Sequence, residues 1–169
     1  ITKTKHLHCA WKPIQSFNFA SKTTLIALTL GELADAALTM PVGLVDLGDE
    51  RYVFSALCGL IENKNAFVLA DGSWMFPFVP AMIMSYPFKF LDSENGQRVL
   101  CIDESSNLLT SRSEGRPFFN EDGSKNLSAN PYNTFSEDSA KSCLNLVITG
   151  LNLSMWPTET VTLLDITLG

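Results

Sequence analysis

Residues 71–90 read DGSWMFPFVPAMIMSYPFKF. Between Asp71 and Lys89 no side chain is charged, yet the stretch holds five aromatic rings and three prolines. Such a run has three possible fates: a membrane segment, a binding surface, or the interior of a water-soluble fold. A membrane helix requires ~20 mostly apolar residues. This run is shorter, and Pro77, Pro80 and Pro87 interrupt it. Each proline removes an amide donor and clashes with the preceding helical turn. In hydrocarbon the freed backbone groups would find no partners. No membrane span is therefore expected.

A soluble reading accounts for the same residues. Asp71-Gly72 signals a turn. Trp74 to Phe78 alternates rings with Met75 and Pro77, as a short strand does. Pro80 suits the first turn of a helix. That helix, Ala81 to Ser85, must stop before Pro87, because the residue preceding proline avoids helical torsions. Phe88 and Phe90 then restart an alternating strand. On this reading the rings form one water-shielded interior.

The bulk numbers agree. A chain of 169 residues suits one domain with a real core. An apolar fraction of 46% and a charged fraction of 18% describe an ordered globular protein. The usual charged fraction is ~25%, so part of the surface is expected to be covered by other subunits. The net charge of −6 repels nucleic-acid phosphate. Basic residues are scattered, apart from Lys3 and Lys5, so no nucleic-acid partner is expected.

The cysteines, Cys9, Cys58, Cys101 and Cys143, make no CxxC pair for zinc or redox work. Cys58 and Cys101 lie in apolar runs and read as small core residues. Free thiols are expected, with synthesis in a reducing cytoplasm. The chain opens at Ile1 without a charged-then-apolar leader pattern. Its start is expected to be processed or incomplete.

Residues 1–12 are polar and read as an arm or edge strand. Thr23 to Leu30 reads as a strand and Glu32 to Leu38 as a short helix closed by Pro41. Pro41 to Leu47 and Tyr52 to Leu60 form a hairpin around Gly48-Asp49. Ala66 to Ala70 is another short strand. Gln97 to Asp103 is apolar on both faces, as in a central strand. Asn95-Gly96 suits the tight turn before it. Residues 105–133 are rich in Ser, Asn, Asp, Glu and Gly and read as a polar excursion loop. Residues 136–153 carry Ala140, Leu144, Val147, Ile148 and Leu151 on one helical face, with Ser136 as cap. Val161 to Leu168 alternates as a terminal strand.

The order of these pieces resembles the SapC family, named after a bacterial protein associated with a surface layer. The matching segments are FNFA at 17–20, LGELADAALTMPV at 30–42, YVFSALCGL at 52–60 and NAFVLADGSWMFPFVPAMIMSYPF at 65–88. VLCID at 99–103 and GRPFF at 115–119 continue the match. Two departures stand out. Family members carry an Arg just before Tyr-Pro-Phe, where this chain has Met84 and Ser85. They also continue beyond a terminal strand of this kind, so a shortened or divergent member is expected. The resemblance implies association with a bacterial surface layer and brings no catalytic residues with it. A short member would equally suit another ordered assembly, such as a phage particle.

Candidate chemical sites are few. His6 and His8 are the only histidines. In an extended strand residues i and i+2 share a face, so both imidazoles would meet one metal ion. A flexible arm end explains them as well. No Ser-His-Asp arrangement, GxSxG element or phosphate-binding glycine loop is present. Asp71 is explained by its turn, Asp103 by the end of its strand and Asp165 by a surface-facing strand position. Trp74, Phe76, Phe78, Tyr86 and Phe88 suit either a core or a stacking groove for sugars or peptides. Trp74 and Tyr86 are the candidate binding residues of such a groove.

These readings converge on a single α+β domain. Its bent, mostly antiparallel sheet surrounds an aromatic centre. Two short helices, about 31–38 and 79–85, flank it, and a longer carboxy-terminal helix at about 136–153 packs across it. The expected function is non-enzymatic: a structural or accessory subunit of a surface layer or virion, contacting other protein subunits and using no cofactor. The alternatives are a small-molecule or glycan-binding module at 71–90, and an enzyme with metal near His6 and His8.

Overall fold

The computed structural model of the chain describes residues 1, 3–49, 51–92, 98–126 and 161–162. Along it run α1 (Lys3–His6), β1 (Cys9–Trp11), β2 (Leu25–Ala27), α2 (Leu33–Ala37), β3 (Val42–Asp46) and β4 (Tyr52–Leu57). Then come α3 (Ala81–Met84), β5 (Phe88–Asp92), β6 (Arg98–Asp103), β7 (Leu109–Ser111), β8 (Arg116–Pro117) and β9 (Val161–Thr162). The class is α+β, as the alternating patterns require. The strands form three small antiparallel sheets rather than one bent sheet: β7-β1-β8, β2-β4-β3 and β5-β6-β9. The described residues gather into two compact units, one of residues 15–84 and one joining residues 1–14 to residues from 85 onward.

In the first unit the β3–β4 hairpin forms where Gly48-Asp49 predicts it. Both residues have positive φ, 81° and 52°. A turn with this geometry matches the twist of paired strands, and glycine adopts it without steric cost. Register runs from Val42 opposite Ala56 to Asp46 opposite Tyr52. Ile26, Leu28, Ala36, Met40, Ala56, Cys58, Phe67, Trp74 and Ile83 make the core of this unit.

One buried carboxylate organises the helices. Glu32, 6% exposed, ends a single 3-10 turn (Leu30–Glu32) that leads into α2. Its Oε2 accepts the amide of Thr29 at 2.9 Å, and its Oε1 accepts the amide of Ala81 at 2.6 Å. Thr29 precedes the 3-10 turn and Ala81 begins α3, so one side chain caps two helical starts. A carboxylate is favoured there because the first amides of a helix lack intrahelical acceptors. Pro80, fully buried, leads into α3 and its carbonyl accepts from Ile83 and Met84.

Two expected strands are absent from this unit. Residues 66–70 and 74–78 meet only in an isolated bridge, Val68 to Trp74. Pro77 and Pro80 withhold the donors that a ladder needs. Side-chain alternation survives without the ladder: Trp74, Phe76 and Phe78 turn inward, while Met75 and Pro77 are exposed.

The second unit is built on β1 and β6. Leu100, Cys101 and Ile102 of β6 are all buried, so both faces are covered, as the two-sided apolar pattern predicts. β5 pairs with β6 from Phe88–Ile102 to Asp92–Arg98; Asn95-Gly96 between them lies outside the described residues. Trp11 meets Phe88 edge-to-face at 5.2 Å, and Phe88 meets Phe118 at 6.2 Å. Such T-shaped pairs align the positive ring edge with the negative face.

Several expectations change here. Residues 1–12 are no arm: Ile1 and His6 are buried, and β1 is the central strand of its sheet. Residues 105–133 are no plain loop in their described part, because β7 and β8 flank β1. The rings of 71–90 are divided: Trp74, Phe76 and Phe78 belong to the first core, Phe88 and Phe90 to the second. The helix expected at 136–153 and most of the strand at 161–168 lie outside the described residues; Val161 and Thr162 pair with β6. Among the described residues no helix is long and apolar enough to cross a membrane.

Glu32→Ala should leave two amides without an acceptor and cost about 3 kcal/mol, the scale of a lost charge-assisted hydrogen bond with its unsatisfied donors. Urea unfolding followed by Trp fluorescence checks this. Glu32→Gln, which keeps one carbonyl oxygen, should fall between that variant and wild type.

Candidate functional site

Trp74 is packed rather than presented. It lies 6.0 Å from Phe67 in a stacked pair, and Phe17 approaches it edge-on at 5.7 Å. Its Nε1–H donates to the Phe78 carbonyl at 2.9 Å. Both the stacking surface and the polar handle that a groove would offer are therefore engaged inside the protein.

Tyr86, in the other unit, is half-buried, and its hydroxyl donates to Asp103 Oδ2 at 3.3 Å. Burial first, and then the Asp103 carboxylate, push its pKa up to about 12. Asp103 Oδ1 also accepts the amide and hydroxyl of Ser105, at 2.9 and 2.6 Å. Asp71 holds Ser73 with the same two contacts, and Asp122 accepts the Ser124 amide at 2.8 Å. Serine hydrogen bonds hold Asp71 and Asp122 below the usual carboxylate range. These three Asp-x-Ser units brace turns.

The histidines part company. His6 is fully buried on α1; its Nε2 lies 3.3 Å from Glu104 Oε1, and its ring meets Phe118 edge-to-face. Lys5 Nζ donates to the other oxygen of Glu104 at 2.7 Å. His8 is exposed in the turn after α1. The extended geometry that would set both imidazoles on one face does not form, because residues 3–6 are helical. Among the described residues no three His, Cys, Asp or Glu side chains assemble as metal ligands. Cys9, Cys58 and Cys101 are free thiols, and burial pushes Cys58 up to about 12.

The surface has one conspicuous property. Among the described residues, every exposed large apolar side chain falls between Leu25 and Met84. Leu30, Leu38, Leu44, Tyr52, Leu60 and Ile61 are each more than half exposed. Two of them, Leu44 and Tyr52, lie on the β3–β4 hairpin, and β3 is an edge strand. Neither was singled out by the sequence patterns. The available signal was VGLVD at 42–46, a strand without lysine or proline.

The residues that carry the family resemblance serve the scaffold. Asn65 donates to the Ala20 carbonyl and accepts the Phe67 amide while buried. Gly72 has φ 83°, and a Cβ there would collide with Ser16. Glu32, Trp74, Pro80 and Pro87 are buried as described. The SapC family model matches residues 1–143. The chain belongs to the SapC family. No curated protein and no solved structure matches it. In this SapC protein Met84 and Ser85 stand where Arg was expected; Met84 ends α3, and the Ser85 carbonyl accepts the Phe88 amide at 2.8 Å.

The Tyr86 shift has a definite sign. Its folded pKa, about 12, exceeds the ordinary value of 10.0. The stability it contributes is complete below pH 10 and is lost as pH rises toward 12. An ultraviolet tyrosinate titration should show a late-ionising phenol that is lost in Tyr86→Phe. In a separate test, Cys58 should resist a thiol reagent at mildly alkaline pH in folded protein and react on unfolding, while half-buried Cys9 reacts earlier.

Proposed function

We propose that this SapC-family chain is a non-enzymatic structural or accessory subunit that binds protein neighbours in a larger assembly. The observation that carries this reading is that, among the described residues, the exposed large apolar side chains all fall between residues 25 and 84. Exposed apolar patches mark interaction sites, and Leu44 and Tyr52 are neighbours on one face of the β3–β4 hairpin. The low charged fraction, 18%, points the same way. The surface-layer association implied by the family name makes a bacterial surface layer the first context, and a virion the second.

The chemistry of the interior supports a scaffold. Among the described residues, Tyr86 approaches Asp103, and His6 and Lys5 approach Glu104. Each of these side chains braces a turn or joins α1 to the segment after β6. His6 is buried against a carboxylate and an aromatic ring, Glu104 and Phe118, contacts that suit a structural histidine.

Sedimentation velocity over a wide concentration range tests the reading. A concentration-dependent increase in mass is expected. A sharp monomer boundary at the highest soluble concentration, unchanged by salt, would overturn it.

A further inference from the structure

β3 is one edge of the sheet ordered β2-β4-β3. Its pairing with β4 determines which peptide groups are engaged. Leu57 donates to the Pro41 carbonyl, and Leu47 to the Arg51 carbonyl. Bonded and non-bonded pairs alternate along an antiparallel ladder. With Val42 opposite Ala56, Gly43 and Val45 must bond to β4, while Val42, Leu44 and Asp46 turn their N–H and C=O groups outward. Among the described residues no backbone or side-chain group bonds to those outward amides and carbonyls.

Open edges are normally guarded by lysine, proline or a bulge, because they template pairing with another chain. β3, VGLVD, has none of these along its length. At the opposite edge of the sheet, Ala27 of β2 is buried. The hairpin face that carries Leu44 also carries Tyr52, and they are 61% and 62% exposed.

We infer that β3 pairs with β3 of a second copy of this chain, antiparallel, about a two-fold axis at Leu44. The inference rests on the assembly reading and gives it a contact. A second copy is the occupant because the strand is self-complementary in this register. Leu44 faces Leu44 of the second copy, each bonded pair exchanging two backbone hydrogen bonds. Val42 faces Asp46 of the second copy. The two Asp46 carboxylates, the only charges on the strands, then lie at opposite ends. Parallel pairing in register would stack them, which costs stability. Leu44 and Tyr52 from both copies form one apolar strip across the junction, at cross-strand diagonal distance. A contact this short is weak by itself and gains strength when an array repeats it.

The full-length chain provides the test. Facing residues of a bonded antiparallel pair have Cα atoms ~5.5 Å apart, within reach of a disulfide. Leu44→Cys, treated with oxidised glutathione, should give a covalent dimer much faster than wild type or the hairpin-tip control Asp49→Cys. Val42→Cys and Asp46→Cys should each fail alone and cross-link when mixed. Leu44→Lys places like charges across the axis; it should abolish self-association while leaving the urea midpoint unchanged. If Leu44→Lys associates like wild type, or Leu44→Cys cross-links no faster than the tip control, the β3 contact is wrong while the assembly reading stands. If wild type is monomeric throughout and no variant cross-links, both fall.

Discussion

Residues 15–84 depend on where the Glu32 carboxylate sits. It is buried, and its two oxygens reach amides 52 positions apart, at Thr29 and Ala81 (81 − 29). A buried charge is costly unless donors surround it, so the carboxylate tolerates only an arrangement in which both amides point at it. That condition fixes the 3-10 turn before α2 and the entry into α3 together. The stretch between Phe67 and Pro80 is thereby held at its far end, and Asn65 holds its start through the Phe67 amide, although it has almost no ladder of its own. Its rings can then pack as a core without being a strand.

The same logic explains why the family pattern says little about chemistry. Glu32, Asn65, Gly72, Trp74, Pro80 and Pro87 look like functional punctuation in a sequence. Each resolves into a local problem of backbone satisfaction or close packing. Asn65 replaces a missing ladder with three hydrogen bonds, to Ala20, Ser21 and Phe67. Gly72 permits a turn that a side chain would obstruct. What distinguishes the surface lies elsewhere, on a hairpin whose sequence is plain.

Elements governed by neighbours in sequence were legible. The Gly48-Asp49 hairpin, the short helix after Gly31, the doubly buried β6 and the core thiols all follow from local pattern. Elements governed by distant partners were not. Residues 1–12 look like an arm because their polar side chains outnumber the apolar ones; Trp11 and Ala10 become core only when β7 and β8 arrive to flank them. Residues 109–117 look like loop because three- and two-residue strands show no periodicity. The alternation at 74–78 was real, but alternation reports side-chain direction and not hydrogen bonding, and prolines separate the two. The division of one aromatic run between two cores has no local signature at all. For the candidate surface, sequence showed an unguarded strand but not that it lies at an edge.

The threading of the chain through the two units has a consequence for biosynthesis. Cys9 pairs with Ser111 and Ala10 with Pro117, so β1 leaves the ribosome long before either flanking strand exists. The β2-β4-β3 sheet, by contrast, draws all its strands from one short stretch. Translation therefore delivers the inserted unit first and keeps Trp11 waiting, solvent-exposed, for its sheet. During that interval the nascent chain carries a bare aromatic strand, a natural substrate for a holding chaperone.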